Sequence, residues 1–238
     1  MPCIAEKGVI VGADITQEWL LPWWWGHYSA FHTYPTAFVD FGMSAEMKSW
    51  CAERGTLISL RIADVFIADR HEMDPSLVQQ MEEACGKTFW LYRSAWFKKP
   101  LACLQSPFHR SLWIDLDCEV RGPIDALFDL CTEHLAMAVD LSSPSFYNSG
   151  VIAFKRGLPV IETWGTDALK RNHLFRGDQD LLNAIICEQK IEVVEIPAIY
   201  NWSRCCTPNP EARIVHWHGP QGKSAISHQI MKMHLYPS

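Results

Sequence analysis

Leu112-Trp113-Ile114-Asp115-Leu116-Asp117 is the stretch whose reading decides the fold class. Ser111 to Ile114 reads as a short buried strand, and two carboxylates follow directly on it. In an open α/β sheet, ligands bind beyond the carboxyl ends of the strands. Outward from this stretch the pattern recurs. Val9-Ile10-Val11-Gly12-Ala13 is an apolar run ending at Asp14, and Ile214-Val215, in an expected strand over Arg213–His216, leads to His216. Asn148 is expected in a loop entering a strand over Val151–Phe154.

The segments between these runs alternate in type. Thr16 to Phe31 reads as a Trp-rich helix, Thr36 to Phe41 as a second strand and Thr56 to Ile62 as a third. Ser44 can cap a helix carrying Met47, Trp50, Cys51 and Arg54 at i, i+3, i+4 spacing, and Gly55 can end it. Asp74-Pro75 supplies a cap and a first-turn proline for a helix with Leu77, Val78, Met81 and Cys85 on one face, stopped by Gly86. Further strands are expected at Leu135–Val139 and Glu192–Ile196, and helices at Pro159–Arg171 and Asp178–Glu188. Alternation of this kind predicts an α/β fold: a mainly parallel sheet with helices on both faces, in a single domain.

Composition agrees with this class and removes others. The chain has 238 residues, 48% of them hydrophobic and 20% charged, which excludes long disorder. No run approaches the roughly 18 apolar residues of a membrane-spanning helix. Met1-Pro2-Cys3 reaches Glu6 and Lys7 before any apolar run, which does not match a signal peptide. A net charge of -6 argues against a nucleic-acid partner. Nine scattered cysteines, without a Cys-x-x-Cys, read as reduced thiols of a cytoplasmic protein. Eleven tryptophans hint at sugar or lipid-headgroup contact, though a Trp-heavy core accounts for most of them. If Trp23, Trp24 and Trp25 are helical, they fan over about 200°, so one of the three is expected to meet solvent, an acceptor or a membrane surface.

Asp115 and Asp117 can hold a hard divalent cation with positions left open for phosphate oxygens. On its own the motif is weak. Thirteen aspartates in 238 residues give about 0.7 such pairs by chance, and Asp178-Gln179-Asp180 is a second one. A solvated acidic turn is the competing reading. A haloacid-dehalogenase phosphatase is excluded, because Glu119 stands where that motif needs Thr or Val and the motif lies mid-chain. His216-Trp217-His218-Gly219 adds imidazoles, and an imidazole beside two carboxylates suits Mn²⁺ better than Mg²⁺. Gly219 and Gly222 would let backbone approach a phosphate, with Lys223 as a point charge.

Taken together, these motifs resemble the GT-A-fold nucleotide-sugar glycosyltransferases, most of all the retaining family 8 type, over Val9 to about Lys223. The resemblance implies a Rossmann-like sheet, with a nucleotide-binding half over about 1–118 and a donor-sugar and acceptor half over about 119–238. It implies that Ala13 and Asp14 bind the nucleotide, and that Asp115, Asp117 and His216 hold Mn²⁺ or Mg²⁺. Asp140, and Asn148 within Tyr147-Asn148-Ser149-Gly150-Val151, resemble the residues that hold the donor sugar. Asp178 and Gln179 resemble the helix start beside the anomeric carbon, and Gly219 and Lys223 the loop that closes on the diphosphate. Lys98 stands where the family places a basic donor-binding residue, with Lys99 competing for that role. Three features depart from the family, one being a His216–Lys223 loop one residue longer than usual. Lys223 is followed by Ser224-Ala225 rather than Pro-Trp, and a base-stacking Tyr after the first strand is missing, with Trp19 as a substitute.

The expected function is therefore metal-dependent transfer of a hexose from a nucleotide sugar, a UDP-sugar, to a sugar, glycolipid or protein acceptor with retention of configuration. The competing readings are a catalytically weak sugar-nucleotide-binding protein on the same fold, and a nucleotidyltransferase. The latter lacks its basic phosphate loop in Gly12-Ala13-Asp14-Ile15-Thr16. For the reaction itself, Gln179 as an orienting group and Asp178 as a nucleophile both stay open.

Overall fold

The computed structural model describes residues 3–60 and 67–235. Its frame is a seven-stranded sheet in the order β3-β2-β1-β4-β7-β6-β8. The strands are β1 (Ala5–Ala13), β2 (Thr36–Asp40), β3 (Thr56–Ser59), β4 (Phe108–Ile114), β6 (Leu135–Val139), β7 (Tyr147–Lys155) and β8 (Val193–Glu195). From β3 to β4 all pairs are parallel, β7 runs antiparallel to both β4 and β6, and β6 and β8 are parallel. A smaller sheet, not foreseen from the sequence, sets β10 (Ile214–His216) antiparallel to β5 (Cys118–Val120) and parallel to β9 (Trp202–Ser203).

Period-two alternation divides the strand side chains between two cores. Val9, Val11, Leu112, Ile114, Val151 and Ala153 enter one, and Ile10, Trp113, Ile152 and Phe154 the other. The first core is closed by the small sheet and by α1 (Leu21–Ser29). Trp24 is fully buried there and stacks on Tyr28 with ring centroids 4.8 Å apart. Trp23 is buried with its Nε1 donating to Gln229, while Trp25 is half-buried against Tyr28, Phe38 and Trp50. None of the three is fully exposed.

Two expected caps form. Ser44 Oγ accepts from Met47 N before α2 (Ala45–Ala52), and Asp74 Oδ1 accepts from Ser76 N and Leu77 N before α3 (Pro75–Cys85). The second core is closed by α4 (Trp90–Leu104), α5 (Pro159–Lys170) and α6 (Asp178–Gln189). The sequence reading missed α4, and it took the start of α7 (Gly219–Leu235) for part of a loop. The expected helix Thr16–Phe31 is a short 3₁₀ turn over Glu18–Leu20 followed by α1. The third strand ends at Ser59, and residues 61 and 62 of its expected span lie outside the described residues.

Topology brings the chemistry to one edge. The chain order reverses between β1 and β4, so Asp14 and Asp115 lie beyond neighbouring strand ends at a switch point. Because β7 is antiparallel to β4, with Ile114 opposite Val151, its beginning lies at that same edge. Asn148 is therefore the second residue of β7, paired with Ala138, and not part of a loop. Asp140 follows β6 at the same edge, where Asn148 Nδ2 donates to its Oδ2.

Candidate active site

Asp115 sits just past β4, where its N–H bonds Gly150 O at 2.8 Å. Its Oδ1 accepts from Trp113 Nε1 at 2.6 Å and lies 3.1 Å from Lys99 Nζ. Asp117 begins the return into β5, and His216 ends β10. The imidazole Nε2 faces both carboxylates, 3.3 Å from Asp117 Oδ1 and 4.0 Å from Asp115 Oδ2. Asp117 Oδ2 also meets Lys223 Nζ at 2.7 Å. Burial alone would raise the Asp117 carboxyl, but the Lys223 ammonium and the adjoining His216 imidazole hold it well below the usual carboxylate range. This is an anionic, half-enclosed corner with two cationic partners.

The donor set fits a divalent cation. Octahedral ligands at about 2.1 Å lie about 3 Å apart, close to the observed His216–Asp117 separation. His216 Nδ1 is occupied by Asn201 Oδ1 at 3.0 Å, so Nε2 is the nitrogen available for the carboxylate corner. Asp117, Cys118 and His216 also form a group whose ligand atoms lie within 4.8 Å of one another. Burial raises the Cys118 thiol well above its ordinary range, and its Sγ is bonded to Gly150 O, so it reads as a core thiol.

Beside this corner lies a polar network. Gln179, in the first turn of α6, accepts from Ser149 N at 3.0 Å and donates to Asp140 Oδ2 at 3.3 Å. Asp140 is further held by Ser142 and Asn148. Asp178 is buried, and its Oδ2 meets Lys99 Nζ at 3.0 Å and Ser149 Oγ at 2.9 Å. Burial raises the Asp178 carboxyl, with Lys99 and Ser149 opposing. Lys99 itself would lose its proton to burial, but Asp115 and Asp178 hold its ammonium above the ordinary range.

Other residues singled out in the sequence lie elsewhere. Lys98 turns from the carboxylates and donates to Phe41 O at 2.6 Å, whereas Lys99 joins them. The carbonyl of Ala13 takes Phe41 N, and Asp14 Oδ1 caps the following turn by accepting from Thr16 and Gln17. Gly219 opens α7 in the left-handed region at φ 78°. The expected closing loop is thus the first turn of a helix, and Gly222 is packed so that a Cβ would fall 1.8 Å from Trp217 O. His218 turns to Ser203 Oγ at 2.7 Å, and burial pushes its imidazole down to about 4. Asp180 is paired with Arg176.

The cleft bounded by Gly12, Gln17, Trp96, Lys99, Asp117 and Lys223 holds only ≈ 60 Å³. That is room for about two waters. A larger cleft of ≈ 680 Å³ between Arg70 and Lys87 contains none of these residues.

No family model matches the chain, and no curated protein matches its sequence. Solved structures match its fold. One is the galactosyltransferase LgtC in complex with donor and acceptor sugar analogues, with a TM-score of 0.59 at 15% identity over 90% of this chain and 87% of that one. Another is the glycosyltransferase GlyE of Streptococcus pneumoniae TIGR4, with a TM-score of 0.61 at 17% identity over 91% of this chain and 55% of that one. The chain has the GT-A fold. Mouse xyloside xylosyltransferase 1 shares it too, with a TM-score of 0.54 at 15% identity, over 90% of this chain and 97% of that one.

On this GT-A fold, several residues at the site were not singled out in the sequence. Asn201 is a single residue between a 3₁₀ turn over Ala198–Tyr200 and β9, with no motif around it. Ser149 was quoted as part of a motif without a role. Asn183 anchors Tyr147 by accepting from its N–H and donating to its carbonyl, both at 2.8 Å. It closes the Asp178–Asn183 stretch that resembles the family's helix start, without a role assigned there, one helical turn after Gln179, whose carbonyl it also binds. Among the described residues no helix is long and apolar enough to cross a membrane.

Proposed function

We propose that the protein is a metal-dependent glycosyltransferase that moves a hexose from a nucleotide sugar, a UDP-sugar, to an acceptor with retention of anomeric configuration. The observation that carries this is the convergence of Asp115, Asp117 and His216 Nε2 beside the Asp140–Asn148–Gln179 network. The fold adds support, because similar solved structures are glycosyltransferases and one holds donor and acceptor sugar analogues.

A divalent cation, Mn²⁺ or Mg²⁺, would be held by Asp115, Asp117 and His216 and would offset charge on the departing diphosphate. Lys223 would supply a point charge by exchanging Asp117 for a diphosphate oxygen. Asp140 and Asn148 are placed to hydrogen-bond sugar hydroxyls. Gln179 is neutral and lies in the first turn of α6, held between Ser149 N and Asp140 Oδ2. It can orient the reacting carbon and stabilise charge there. Asp178 is committed to Lys99 and Ser149, so this reading gives it a positioning role rather than that of nucleophile. All nine cysteines are free, which supports a reducing, cytoplasmic setting. The acceptor is a sugar, glycolipid or protein.

A thermal-shift panel of nucleotide sugars with and without Mn²⁺ tests the donor. A UDP-sugar at 100 times its Kd adds about 2.7 kcal/mol of stability. Proton NMR of fresh product tests retention, and an inverted anomeric signal refutes it. A panel without any Mn²⁺-dependent response refutes the donor assignment.

A further inference from the structure

The hydrogen bonds behind His216 run in one direction, set by a backbone group. The N–H of Gly150 can only donate, and it bonds Asn148 Oδ1 at 2.9 Å. That fixes the Asn148 amide, so Nδ2 faces Asp140 Oδ2 at 3.2 Å. Asn148 Oδ1 takes a second hydrogen bond, at 2.9 Å, from Asn201, and this must come from Asn201 Nδ2. Asn201 Oδ1 therefore faces His216 Nδ1 at 3.0 Å, and Nδ1 must carry a proton to bond it. The other nitrogen, Nε2, faces Asp115 and Asp117. Packing enforces the same arrangement. A Cβ on residue 150 would lie 2.3 Å from His216 Cε1 and 3.0 Å from Asn148 Oδ1, so only glycine lets the ring and the amide nest there. Asn201 is 4% exposed, which leaves it little access to competing water.

We propose that Asn201 is a positioning residue that couples the two parts of the site. One end of its amide holds His216 in the Nδ1–H form, with Nε2 presented to the carboxylates. The other end holds Asn148 against Asp140, where a donor sugar would bind. One buried amide thus orients both a metal ligand and a sugar-binding pair. The inference rests on the glycosyltransferase reading for the identity of the ligands, but the orientation of His216 is testable without them.

Two substitutions separate the two ends. Asn201→Asp keeps an acceptor for His216 Nδ1–H and loses the donor to Asn148. Asn201→Leu loses both. Nitrogen NMR of ¹⁵N-histidine-labelled protein with excess Mg²⁺ reads the ring directly. The Nδ1–H form is expected in the wild type and in Asn201→Asp, and its loss in Asn201→Leu. Titration with Mn²⁺ alone should show a Kd within about threefold of wild type for Asn201→Asp and weakened about 10- to 100-fold for Asn201→Leu. Binding of UDP in Mn²⁺ should survive in Asn201→Asp, while binding of the UDP-hexose preferred by the wild type falls towards that of UDP. An Nε2–H ring in the wild type overturns the proposal, as does unchanged UDP-hexose affinity in Asn201→Asp. Should Asn201→Leu fail to fold, the wild-type ring form and the Asn201→Asp split still decide. If the wild type has the Nδ1–H ring but binds neither Mn²⁺ nor any UDP-hexose, the glycosyltransferase reading falls and the coupling role falls with it, while the assigned His216 orientation stands.

Discussion

Replacing Lys99 by methionine removes a buried ammonium from between two carboxylates, Asp115 at 3.1 Å and Asp178 at 3.0 Å. Lys99 is 4% exposed, so water cannot take its place. Breaking a buried pair by deleting one partner costs about 3–5 kcal/mol, because the remaining charge is left without compensation. At about 2–4 °C per kcal/mol for a chain of this size, the Tm should fall by roughly 6–20 °C at neutral pH. Lys98→Met is the comparison. Lys98 is half-buried and makes one hydrogen bond to Phe41 O, so its loss should cost about 1–2 kcal/mol. The pH dependence has a definite sign. Burial raises the folded-state pKa of Asp178 above its unfolded value, so this group favours the folded state most at low pH, and that advantage is lost as pH rises through the folded pKa. Removing Lys99 leaves only Ser149 to oppose burial, raises that pKa further and extends the loss to higher pH. The gap in Tm between Lys99→Met and wild type should therefore be widest at pH 7 and narrow towards pH 4. Calorimetric scans at both pH values read this. A Lys99→Met protein as stable as Lys98→Met at pH 7, or a gap that widens on acidification, would refute the reasoning.

Gln179→Ala should keep nucleotide-sugar affinity and lower turnover by about 10²–10³, as for loss of one electrostatic donor, read by initial rates and binding titration. Equal loss in the two measurements would remove its transition-state role. Lys223→Gln frees Asp117 of its 2.7 Å partner, so Mn²⁺ without nucleotide should bind about tenfold more tightly, while UDP binding in Mn²⁺ weakens. Weaker Mn²⁺ binding in that variant would show that Lys223 does not compete with the cation. Trp24→Ala, at a fully buried ring, should cost about 3–5 kcal/mol in denaturant unfolding. Trp19→Ala, at a ring that is 39% exposed, should change stability by less than about 0.5 kcal/mol.

The large sheet was legible because its central strands are buried on both faces and read as short apolar runs, several of them followed by an aspartate. The caps at Ser44 and Asp74 were legible because their physics is local. α4 was hidden by Pro100 inside a segment whose aromatic and apolar residues show no single stripe, since it buries much of its surface. The start of α7 was hidden by Gly219, Pro220 and Gly222, which read as loop residues. The three-residue strand β5 is too short to carry a periodic signal.

At the site, Asp115, Asp117 and His216 could be proposed together because each comes at the end of an apolar run, although His216 ends a strand of the smaller sheet and not of the large one. The choice between Lys98 and Lys99 could not be read. One residue is a rotation of about 100° on a helix, and the face that α4 turns to the sheet is set by tertiary packing. Asn201 gave no signal, because a lone amide between aromatic residues becomes meaningful only when its two partners are known.

Isothermal titration of UDP in excess Mn²⁺ and again in chelator, on the wild type and on Asp117→Ala, tests the central claim most directly. The account predicts tight binding only for the wild type with Mn²⁺, and weak binding in the other three conditions. Equal UDP affinity in chelator and in Mn²⁺ for the wild type would contradict it.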